Sequence, residues 1–250
     1  MRSQRVEIIG VPISAVNMES CIEEIFSNWD AAKGDYICVS NVHTTVMAHG
    51  DEQYMAVQSG SFLSLPDGKP LSVVGRKQHP QMDRVTGPDF MRRIFEESRV
   101  RKLRHYFYGN TAENLEKLIE TIKAEYPHLE IAGYEPSVFR DLSAEEETEL
   151  AERINASQAD FVWVGLGAPR QELFCARMKG RTNSVMVGVG GAFNVLAHIV
   201  PEAPRWMQDF SLEWLYRLIQ EPRRLFKRYL VTNSKFLFYL ISYKISKKHN

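Results

Sequence analysis

Two short apolar runs, each ending at glycine and followed by a helix, constrain the fold of this chain most strongly. Residues 161–166 are almost continuously apolar and stop at a Gly-Ala-Pro sequence before a helix that begins near Gln171. Residues 185–189 repeat the pattern and end at a Gly-Gly pair. Strands that are apolar throughout are buried on both faces, which is typical of a parallel sheet covered by helices. The sequence therefore predicts an α/β fold.

The same alternation of strand, turn and helix continues along most of the chain. Thr111 is a typical helix N-cap, and Ser143 opens a capping-box sequence. We predict an open, mostly parallel, Rossmann-like sheet with helices on both faces. The remaining strands are predicted at residues 6–9, 36–39, 62–65, 105–108 and 129–133, with a turn at 10–12, and the helices at residues 18–29, 44–49, 52–59, 112–126 and 143–155.

The C-terminal segment differs from the rest of the chain in charge. The chain has 31 basic and 31 acidic residues, but residues 222–250 contain eight Lys and Arg and no Asp or Glu, which leaves residues 1–221 with a net charge of −8. Cations interleaved with large apolar side chains suit an anionic lipid surface better than nucleic acid, whose sites need stacking platforms or base-reading groups. The alternative is that the aromatic residues pack these helices onto the domain and the lysines form a solvated face.

Two domains follow from this contrast, with a boundary near residues 201–204. Residues 1–200 are predicted to form the α/β domain, and residues 201–250 a helical, basic, membrane-associating appendage. The apolar run at 236–243 would extend only about 12 Å as a helix, against about 30 Å of hydrocarbon, so the association is peripheral. The N-terminus lacks the pattern of a signal peptide, and three widely spaced cysteines indicate buried thiols in a reducing compartment. We therefore predict a protein at the cytoplasmic face of the inner membrane.

Glycines, amides and one acid fall at the carboxyl ends of the predicted strands, where ligands bind in such sheets. Glycine lets backbone N–H groups approach a ligand, and a helix N-terminus favours an anion such as a diphosphate. The chain has neither a GxGxxG dinucleotide fingerprint nor a P-loop. A site for a small anionic ligand is therefore predicted from five turns, which carry Asn41 with Thr44, Asp67 with Gly68, Gly109 with Asn110, Gly167 with Gln171 and Glu172, and Gly190 with Gly191.

Six segments occur in a fixed order: NVHT at 41–44, LPDG at 65–68, RVTGPD at 84–89, GLGAPRQE at 165–172, GVGGAF at 188–193 and LEWLYRLIQEPRR at 212–224. In these segments the chain resembles the WecG/TagA/CpsF family of bacterial glycosyltransferases, over about residues 6 to 235. The resemblance implies an enzyme that transfers a sugar from a UDP-sugar to a polyprenyl-diphosphate-linked sugar in surface polysaccharide or teichoic acid synthesis, with inversion of the anomeric centre.

The resemblance also implies the partners. The donor is of the UDP-N-acetylmannosamine or mannosaminuronic acid type, and neither a cofactor nor a metal ion is expected, since the chain has no DxD triplet. A homo-oligomer is allowed, and no nucleic acid partner is expected. One alternative is transfer of glucuronic acid or another hexose, for which Lys69, Arg76, Arg84 or Arg170 would bind the donor's carboxylate. A nonenzymatic nucleotide-sugar sensor is a second alternative, disfavoured because Asp67 is present.

Inverting transfer needs one base to deprotonate the acceptor hydroxyl and positive groups to stabilise the departing UDP. Asp67, between Pro66 and Gly68 at a strand end, resembles the family's proposed base. Its alternatives are that Asp67 merely caps the following turn, or that His43 is the base, since an imidazole titrates near neutral pH.

The remaining site residues are assigned by the same resemblance. Asn41 and Thr44 are expected to hold the sugar, and arginines of the appendage are expected to close over the diphosphate. We predict Arg217 and Arg224 at the active site, and Lys235, Lys244, Lys247 and Lys248 at lipid. The predicted substrate-binding residues are Gly68, Arg84, Gly87, Asp89, Gly109, Asn110, Gly167, Gln171, Glu172, Gly190, Gly191, Arg223 and Arg228.

Overall fold

A sheet of six parallel strands is the centre of the computed structural model, which describes residues 4–210 and 212–249. For Arg205, Asp209, Arg224, Arg228 and residues 244–249 it describes only the course of the backbone. The strands are β1 (Arg5–Ile8), β2 (Val11–Ser14), β3 (Tyr36–Ser40), β4 (Leu63–Pro66), β5 (Arg104–Gly109), β6 (Glu130–Glu135), β7 (Phe161–Gly165) and β8 (Val185–Gly188).

The helices cover both faces of this sheet. They are α1 (Met18–Ser27), α2 (Trp29–Ala32), α3 (Val42–Gly50), α4 (Glu52–Gly60), α5 (Lys69–Gly75), α6 (Gly87–Arg101), α7 (Ala112–Glu125), α8 (Ala144–Ser157), α9 (Arg170–Met178), α10 (Ala192–Leu196), α11 (Arg205–Asp209), α12 (Glu213–Gln220) and α13 (Pro222–His249).

The strand order is β4-β3-β8-β7-β5-β6, and every neighbouring pair is parallel. The connection from β3 to β4 runs toward one edge of the sheet, whereas the connection from β5 to β6 runs toward the other. Where connections diverge in this way, the carboxyl ends of the strands between them form a crevice. The predicted open, parallel, Rossmann-like sheet is confirmed.

Strand β7 shows why its sequence is apolar throughout. Phe161 and Trp163 face one buried cluster, with Phe107, and Val162 and Val164 face another on the opposite side of the sheet. All four β7 side chains are fully buried. A strand that contributes to both cores in this way has no solvent face on which a polar residue would be stable.

Side-chain caps fix where several helices begin. The Thr111 side chain accepts a hydrogen bond from the backbone N–H of Asn114 at 3.2 Å and starts α7. Ser143 and Glu146 form the predicted capping box at the start of α8. These caps satisfy backbone N–H groups that have no partner inside the helix. Both N-cap predictions are confirmed.

The prediction for the N-terminus is wrong in two respects: the turn after the first strand leads into a second strand rather than a helix, and the first strand is not part of the parallel sheet. Residues 10–12 do not form a turn that leads into a helix; instead β1 and β2 form an antiparallel hairpin, with Pro12 inside β2. The two turn residues, Ile9 and Gly10, have φ values of 49° and 81°, which suit a tight two-residue hairpin. This hairpin is a sheet of its own, outside the parallel one.

Two helical predictions also need correction. The helix predicted at 18–29 ends at Ser27, because Asn28 leaves the helical conformation and α2 begins after it. Helix α6 is absent from the sequence-based prediction, although its buried face carries Phe90, Ile94 and Phe95. The Arg and Glu residues between these apolar positions interrupt the apolar pattern, so the sequence did not indicate a helix here.

The C-terminal helix α13 has two apolar faces. Phe236 is buried, and together with Tyr239 and Leu240 it packs against the core formed by the hairpin and α3, so the alternative of aromatic residues packing this helix onto the domain holds for this face. Four other side chains, Phe226, Leu230, Leu237 and Ile241, are exposed and fall within a sector of about 60° at the helical repeat; we call them the outer face of α13. No helix among the described residues is both long and apolar enough to cross a membrane.

Candidate active site

Asn41 and Asp67 lie side by side at the crevice because β3 and β4 are neighbours. Ser40 of β3 is in register with Pro66 of β4, so the residues that follow the two strands emerge together. A Cβ added to Gly68 would lie 3.5 Å from the Cα of Asn41, which shows how closely the two turns approach. The structure thus brings the first two sequence segments into contact.

The Asn41 side chain caps helix α3. Its Oδ1 accepts hydrogen bonds from the backbone N–H groups of His43 and Thr44 at 3.0 and 3.2 Å, and the Oγ1 of Thr44 accepts one from the backbone N–H of Asn41 at 2.9 Å. Thr44 is buried. The Thr44 hydroxyl is therefore used by the helix, whereas the Asn41 Nδ2 donates to no side chain or carbonyl in the described part of the protein. Their contact with a sugar stays a prediction.

Asp67 stands at the end of β4, and its carboxylate makes no hydrogen bond within the described residues. Its backbone N–H donates to the Ser40 carbonyl at 2.8 Å, but its side chain does not cap α5, whose N-cap is Gly68. Burial raises the pKa of Asp67 to about 6, and the guanidinium groups of Arg217 and Arg84 limit the rise. The capping alternative therefore has no support in the geometry, and the carboxyl titrates within reach of neutral pH.

Arg84 links this part of the sheet to the C-terminal helices. Its guanidinium donates to both carboxylate oxygens of Glu213, at 2.5 and 3.2 Å, and its side chain is only 11% exposed. Glu213 is the first residue of α12, and Arg217 lies one helical turn later on the same face. The ion pair therefore holds α12 where the charge of Arg217 lowers the pKa of Asp67.

Arg84 and Asp89 belong to one sequence segment, but their side chains do not pair with each other. The Asp89 carboxylate instead accepts a hydrogen bond from the Thr86 hydroxyl at 2.7 Å and approaches Arg92 at 3.4 Å. Thr86 also caps α6 by accepting from the backbone N–H of Asp89. Asp89 therefore fixes the start of α6, and a Cβ added to Gly87 beside it would lie 3.5 Å from the Cβ of Ala192, the first residue of α10.

Two of the glycines at the crevice are required by their backbone. Gly109 has φ +123°, and a Cβ there would lie 2.7 Å from the backbone of Gly165 on the neighbouring strand. Gly190 has φ +52°, and a Cβ there would lie 3.0 Å from the Oε1 of Gln171. Such positions favour glycine because it has no side chain to clash. Gly167 lies in the turn after β7, and Gly191 lies beside Gly190 in the turn after β8.

Asn110 ties the turn after β5 to the turn after β8. Its Nδ2 donates to the Oδ1 of Asn194 at 2.6 Å, and its Oδ1 accepts from the backbone N–H of Thr111 at 2.9 Å. The backbone N–H of Asn110 donates to the Gly165 carbonyl at 3.1 Å. Three predicted turns are therefore held at one end of the sheet by hydrogen bonds.

Gln171 and Glu172 lie below the turns rather than in the open crevice. Their exposed fractions are 5% and 1%. The Gln171 Oε1 accepts from the backbone N–H of Gly167 at 3.0 Å, and its Nε2 donates to the Glu172 Oε1 at 2.8 Å. Direct contact of these two residues with a substrate stays a prediction.

Comparison with known proteins gives this arrangement its family. The sequence profile of the Glycosyl transferase WecG/TagA/CpsF family matches residues 6–250. The chain belongs to this family. Two relatives, both named N-acetylglucosaminyldiphosphoundecaprenol N-acetyl-beta-D-mannosaminyltransferase, come from Bacillus spizizenii (strain W23) and Bacillus subtilis (strain 168). The first is 34% identical over 78% of this chain and 75% of the relative, and the second is 31% identical over 88% and 86%. The protein is thus a glycosyltransferase, as the six segments indicated.

The C-terminal arginines of this glycosyltransferase are only partly described. Arg217 and Arg223 are exposed, on α12 and at the start of α13. The side chains of Arg224 and Arg228 lie outside the described residues, as do those of Lys244, Lys247 and Lys248. Helix α12 ends at Gln220 and α13 begins at Pro222, so Arg217 and Arg223 lie on different helices.

Glu213 is the functional candidate that the sequence analysis missed. It is part of the last of the six segments, and its position four residues before Arg217 on a helix is a usable signal of a shared face. His43, the alternative base, lies against α13, where its Nδ1 is 3.4 Å from the Thr232 hydroxyl. Among the described residues, no group of three or more His, Cys, Asp or Glu side chains is arranged to hold a metal ion.

Proposed function

We propose that this glycosyltransferase transfers N-acetylmannosamine from its UDP derivative to the N-acetylglucosamine of a polyprenyl-diphosphate-linked acceptor, with inversion. The observation that carries the proposal is the Asp67 carboxylate at a parallel-sheet crevice, next to Arg84 and Arg217. The names of the two Bacillus relatives support the transferred sugar and the acceptor.

Asp67 is the proposed base. Its carboxylate takes the proton from the acceptor hydroxyl as the oxygen bonds to the anomeric carbon of the donor, and the bond from that carbon to UDP breaks. A pKa of about 6 leaves most of this carboxyl ionised at neutral pH while keeping it more basic than an ordinary aspartate. Asn41, whose Nδ2 faces no partner within the described chain, is proposed to donate a hydrogen bond to the sugar.

Positive charge and backbone N–H groups are proposed to stabilise the leaving UDP. The glycine turns after β7 and β8 precede α9 and α10, and such turns present N–H groups to phosphate oxygens. Arg217 and Arg84 flank Asp67, and Arg224 is proposed to join them, with Arg223 and Arg228 beside it. An arginine fork suits phosphate because it makes two parallel hydrogen bonds.

A donor and acceptor assay tests the proposed reaction. Purified protein is incubated with a short-chain lipid-diphosphate N-acetylglucosamine and, separately, with UDP-linked N-acetylmannosamine, N-acetylmannosaminuronic acid, glucuronic acid and glucose, and the disaccharide product is identified by mass and NMR. We expect N-acetylmannosamine transfer to be fastest. Faster transfer of glucuronic acid or another hexose would favour the alternative donor, and no transfer from any donor, with UDP-sugar binding retained, would favour a sensor.

The choice between Asp67 and His43 has its own test. His43→Gln keeps a hydrogen-bonding side chain near Thr232 but removes the imidazole. We expect this variant to keep the acid limb of the pH profile near pH 6, because Asp67 sets it. Loss of that limb together with most of the turnover would make His43 the base.

Membrane association is proposed to be peripheral and to use the appendage of residues 201–250. The proposed base lies in the α/β domain of residues 1–200, and arginines of the appendage complete the site. The outer face of α13 is apolar and exposed, and Lys227 and Lys235 on the same helix are exposed cations. Such a surface suits the cytoplasmic leaflet, where the lipid-linked acceptor is embedded. A homo-oligomer stays a prediction.

Vesicle sedimentation tests the outer face. Burying a Leu or Ile side chain in lipid contributes about 1.5–3 kcal/mol, so Leu237→Ser combined with Ile241→Ser is expected to weaken binding to phosphatidylglycerol vesicles by at least about ten-fold. The matched control is Val100→Ser with Val138→Ser, which removes two exposed apolar side chains, one from α6 and one from the loop after β6. Equal loss in both double variants, or in neither, would contradict an outer face that meets lipid.

Metal independence is tested by chelation. Because the arginines are proposed to supply the positive charge at the diphosphate, turnover is expected to persist in excess EDTA. An absolute requirement for Mg²⁺ or Mn²⁺, restored when the ion is added back, would overturn the arginine-based stabilisation of UDP.

A further inference from the structure

A row of buried polar side chains lies beneath the crevice. One end lies at the turn after β7, and the other lies at the ends of β3 and β4. Its members are each no more than 5% exposed, and they are Gln171, Glu172, Tyr54, Gln58, Ser40 and Ser64. Polar groups buried this deeply are stable only when they are hydrogen-bonded to one another.

Gln171 is fixed at both ends of its side-chain amide. Its Oε1 faces the N–H of Gly167 and its Nε2 faces the carboxyl oxygen of Glu172. Because one neighbour is a donor and the other an acceptor, only one orientation of the amide satisfies both. The Gln171 side chain also lies against Gly188 and Gly190, where a Cβ would come within 3.1 Å of its Cγ and 3.0 Å of its Oε1. Gln171 therefore joins the turn after β7 to the turn after β8.

Gln58 plays the matching part on the other side. Its Nε2 donates to the Tyr54 hydroxyl at 3.2 Å, and its Oε1 accepts from the hydroxyls of Ser40 and Ser64 at 2.8 and 3.2 Å. The Ser40 carbonyl in turn accepts the backbone N–H of Asp67. This half of the network thus ends directly under the proposed base.

Glu172 lies between Gln171 and Tyr54 in this row. Burial raises its pKa to about 7, while the Gln171 amide and the Tyr54 hydroxyl favour its charged form. Its Oε2 is buried and has no hydrogen-bond partner in the described part of the chain. At 1% exposure this carboxyl has almost no surface in the crevice, and it accepts the hydrogen bond that sets the orientation of the amide beside it.

We propose that Glu172 is a positioning residue: its carboxyl fixes the Gln171 amide and, through it, holds the glycine turns after β7 and β8 in the arrangement that binds the donor's diphosphate. The inference rests on the proposed function for the identity of that ligand. The hydrogen bonds within the protein that carry it do not depend on the donor.

A double-mutant cycle tests whether Glu172 acts through Gln171. UDP affinity is measured by calorimetry, with donor KM and kcat, for Glu172→Ala, Gln171→Ala, the double variant and Glu172→Gln. Leaving a buried polar group unpaired weakens the arrangement it supports, so each Ala variant is expected to lose roughly ten-fold in UDP affinity. The double variant is expected to lose no more than either single one, since the two residues form one unit. Glu172→Gln keeps an acceptor oxygen and is expected to stay within about two-fold of wild type.

Additive losses in this cycle would overturn the proposal, because they would mean that Glu172 acts independently of Gln171. Wild-type affinity in Glu172→Ala would overturn it as well. Absence of UDP binding by the wild-type protein is a different outcome, which would count against the proposed function and leave the hydrogen-bond arm below to decide the role of Glu172.

This second experiment uses NMR to observe the hydrogen bond of the Gln171 amide directly, and it needs no destabilised variant. The ¹⁵N-labelled side-chain NH₂ signal is identified by its disappearance in Gln171→Met. We expect its chemical shift to titrate between pH 6 and 8 in the wild type and to stay constant in Glu172→Gln. The other titratable groups around Glu172 are Cys38, Cys175 and Tyr54, and burial raises the pKa of each of them far above this range. A signal that does not titrate in the wild type would overturn the proposal.

Discussion

Asp67 and Glu172 are two carboxyls that burial makes less acidic, with pKa values of about 6 and about 7, yet their surroundings are opposite. Asp67 has no side-chain hydrogen bond in the described structure, keeps part of its surface at the crevice, and is flanked by Arg217 and Arg84. Glu172 is sealed below the turns and bonded to Gln171.

This contrast shows that a raised pKa does not by itself assign a catalytic role. Structural networks perturb pKa values as strongly as active sites do, so access and partners must decide between them. A carboxylate that is open to the crevice and lies beside cations can exchange a proton with a substrate. A carboxyl that is sealed from the crevice and bonded to a neighbouring amide is placed to hold that neighbour in position.

The largest expected effect comes from removing the carboxylate that is open to the crevice. Asp67→Asn keeps the shape of the side chain but cannot accept a proton, and loss of a general base lowers rates by about 10²–10⁴-fold. We expect kcat to fall within that range while calorimetry shows UDP binding retained. Asp51→Asn is the matched control, because Asp51 caps α4 and asparagine caps helices equally well.

Near wild-type turnover of Asp67→Asn across pH 6–9 would remove Asp67 from the chemistry. A fall in the Asp51→Asn control of similar size would show that the loss reflects folding rather than proton transfer.

A smaller loss is expected from the charge beside that carboxylate. Arg217→Ala removes the cation that most lowers the pKa of Asp67, so the acid limb of kcat/KM is expected to move to higher pH. Removing one stabilising donor at a developing anion lowers kcat by roughly 10²-fold. Arg217→Lys keeps the positive charge but cannot make the two parallel hydrogen bonds of a guanidinium. We therefore expect it to return the acid limb to near pH 6 while kcat stays below that of the wild type. Lys227→Ala, an exposed cation on α13, is the control; an equal effect there would contradict a specific role for Arg217.

Many of the residues at the edge of the active site could be predicted from the sequence, because the local residue pattern and the topology of the sheet determine their positions. Apolar runs ending at glycine predict β7 and β8, and their parallel packing brings Asn41, Asp67 and Gly190 to one edge of the sheet. The prediction needed only the period of the strands and the residues that end them.

The remaining features depend on contacts between distant residues. Arg84 and Glu213 are 129 positions apart, and either could have paired with another charge nearby. Tyr54 and Gln58 belong to a helix whose sequence shows no sign of the carboxyl it faces. The buried polar residues beneath the crevice are therefore visible as a group only after the chain has folded.

The pH dependence of catalysis is a smaller effect that distinguishes the role of Asp67 from that of Glu172. Asp67 acts as a base only when ionised, so activity is present above its pKa of about 6 and is lost as the pH falls through that value. We expect kcat/KM to drop roughly ten-fold between pH 7.5 and 5. Glu172→Gln should leave this limb in place. Disappearance of the limb in Glu172→Gln would mean that the sealed carboxyl, and not Asp67, controls the reaction.

The smallest expected effect is on stability, and it belongs to Glu172. Its pKa is raised from 4.5 to about 7 in the folded protein, so the folded state binds the proton more tightly; the stability gained is fully present below about pH 4.5 and is lost as the pH rises through 7. Between pH 6 and 8 the wild type should lose about 1 kcal/mol, or about 3 °C in Tm. Asp67 contributes little to the change in stability between pH 6 and 8, because most of the stability linked to its raised pKa is already lost below pH 6. Differential scanning calorimetry should show a flatter Tm profile for Glu172→Gln than for wild type, and parallel profiles would contradict a buried carboxyl that keeps its proton at neutral pH.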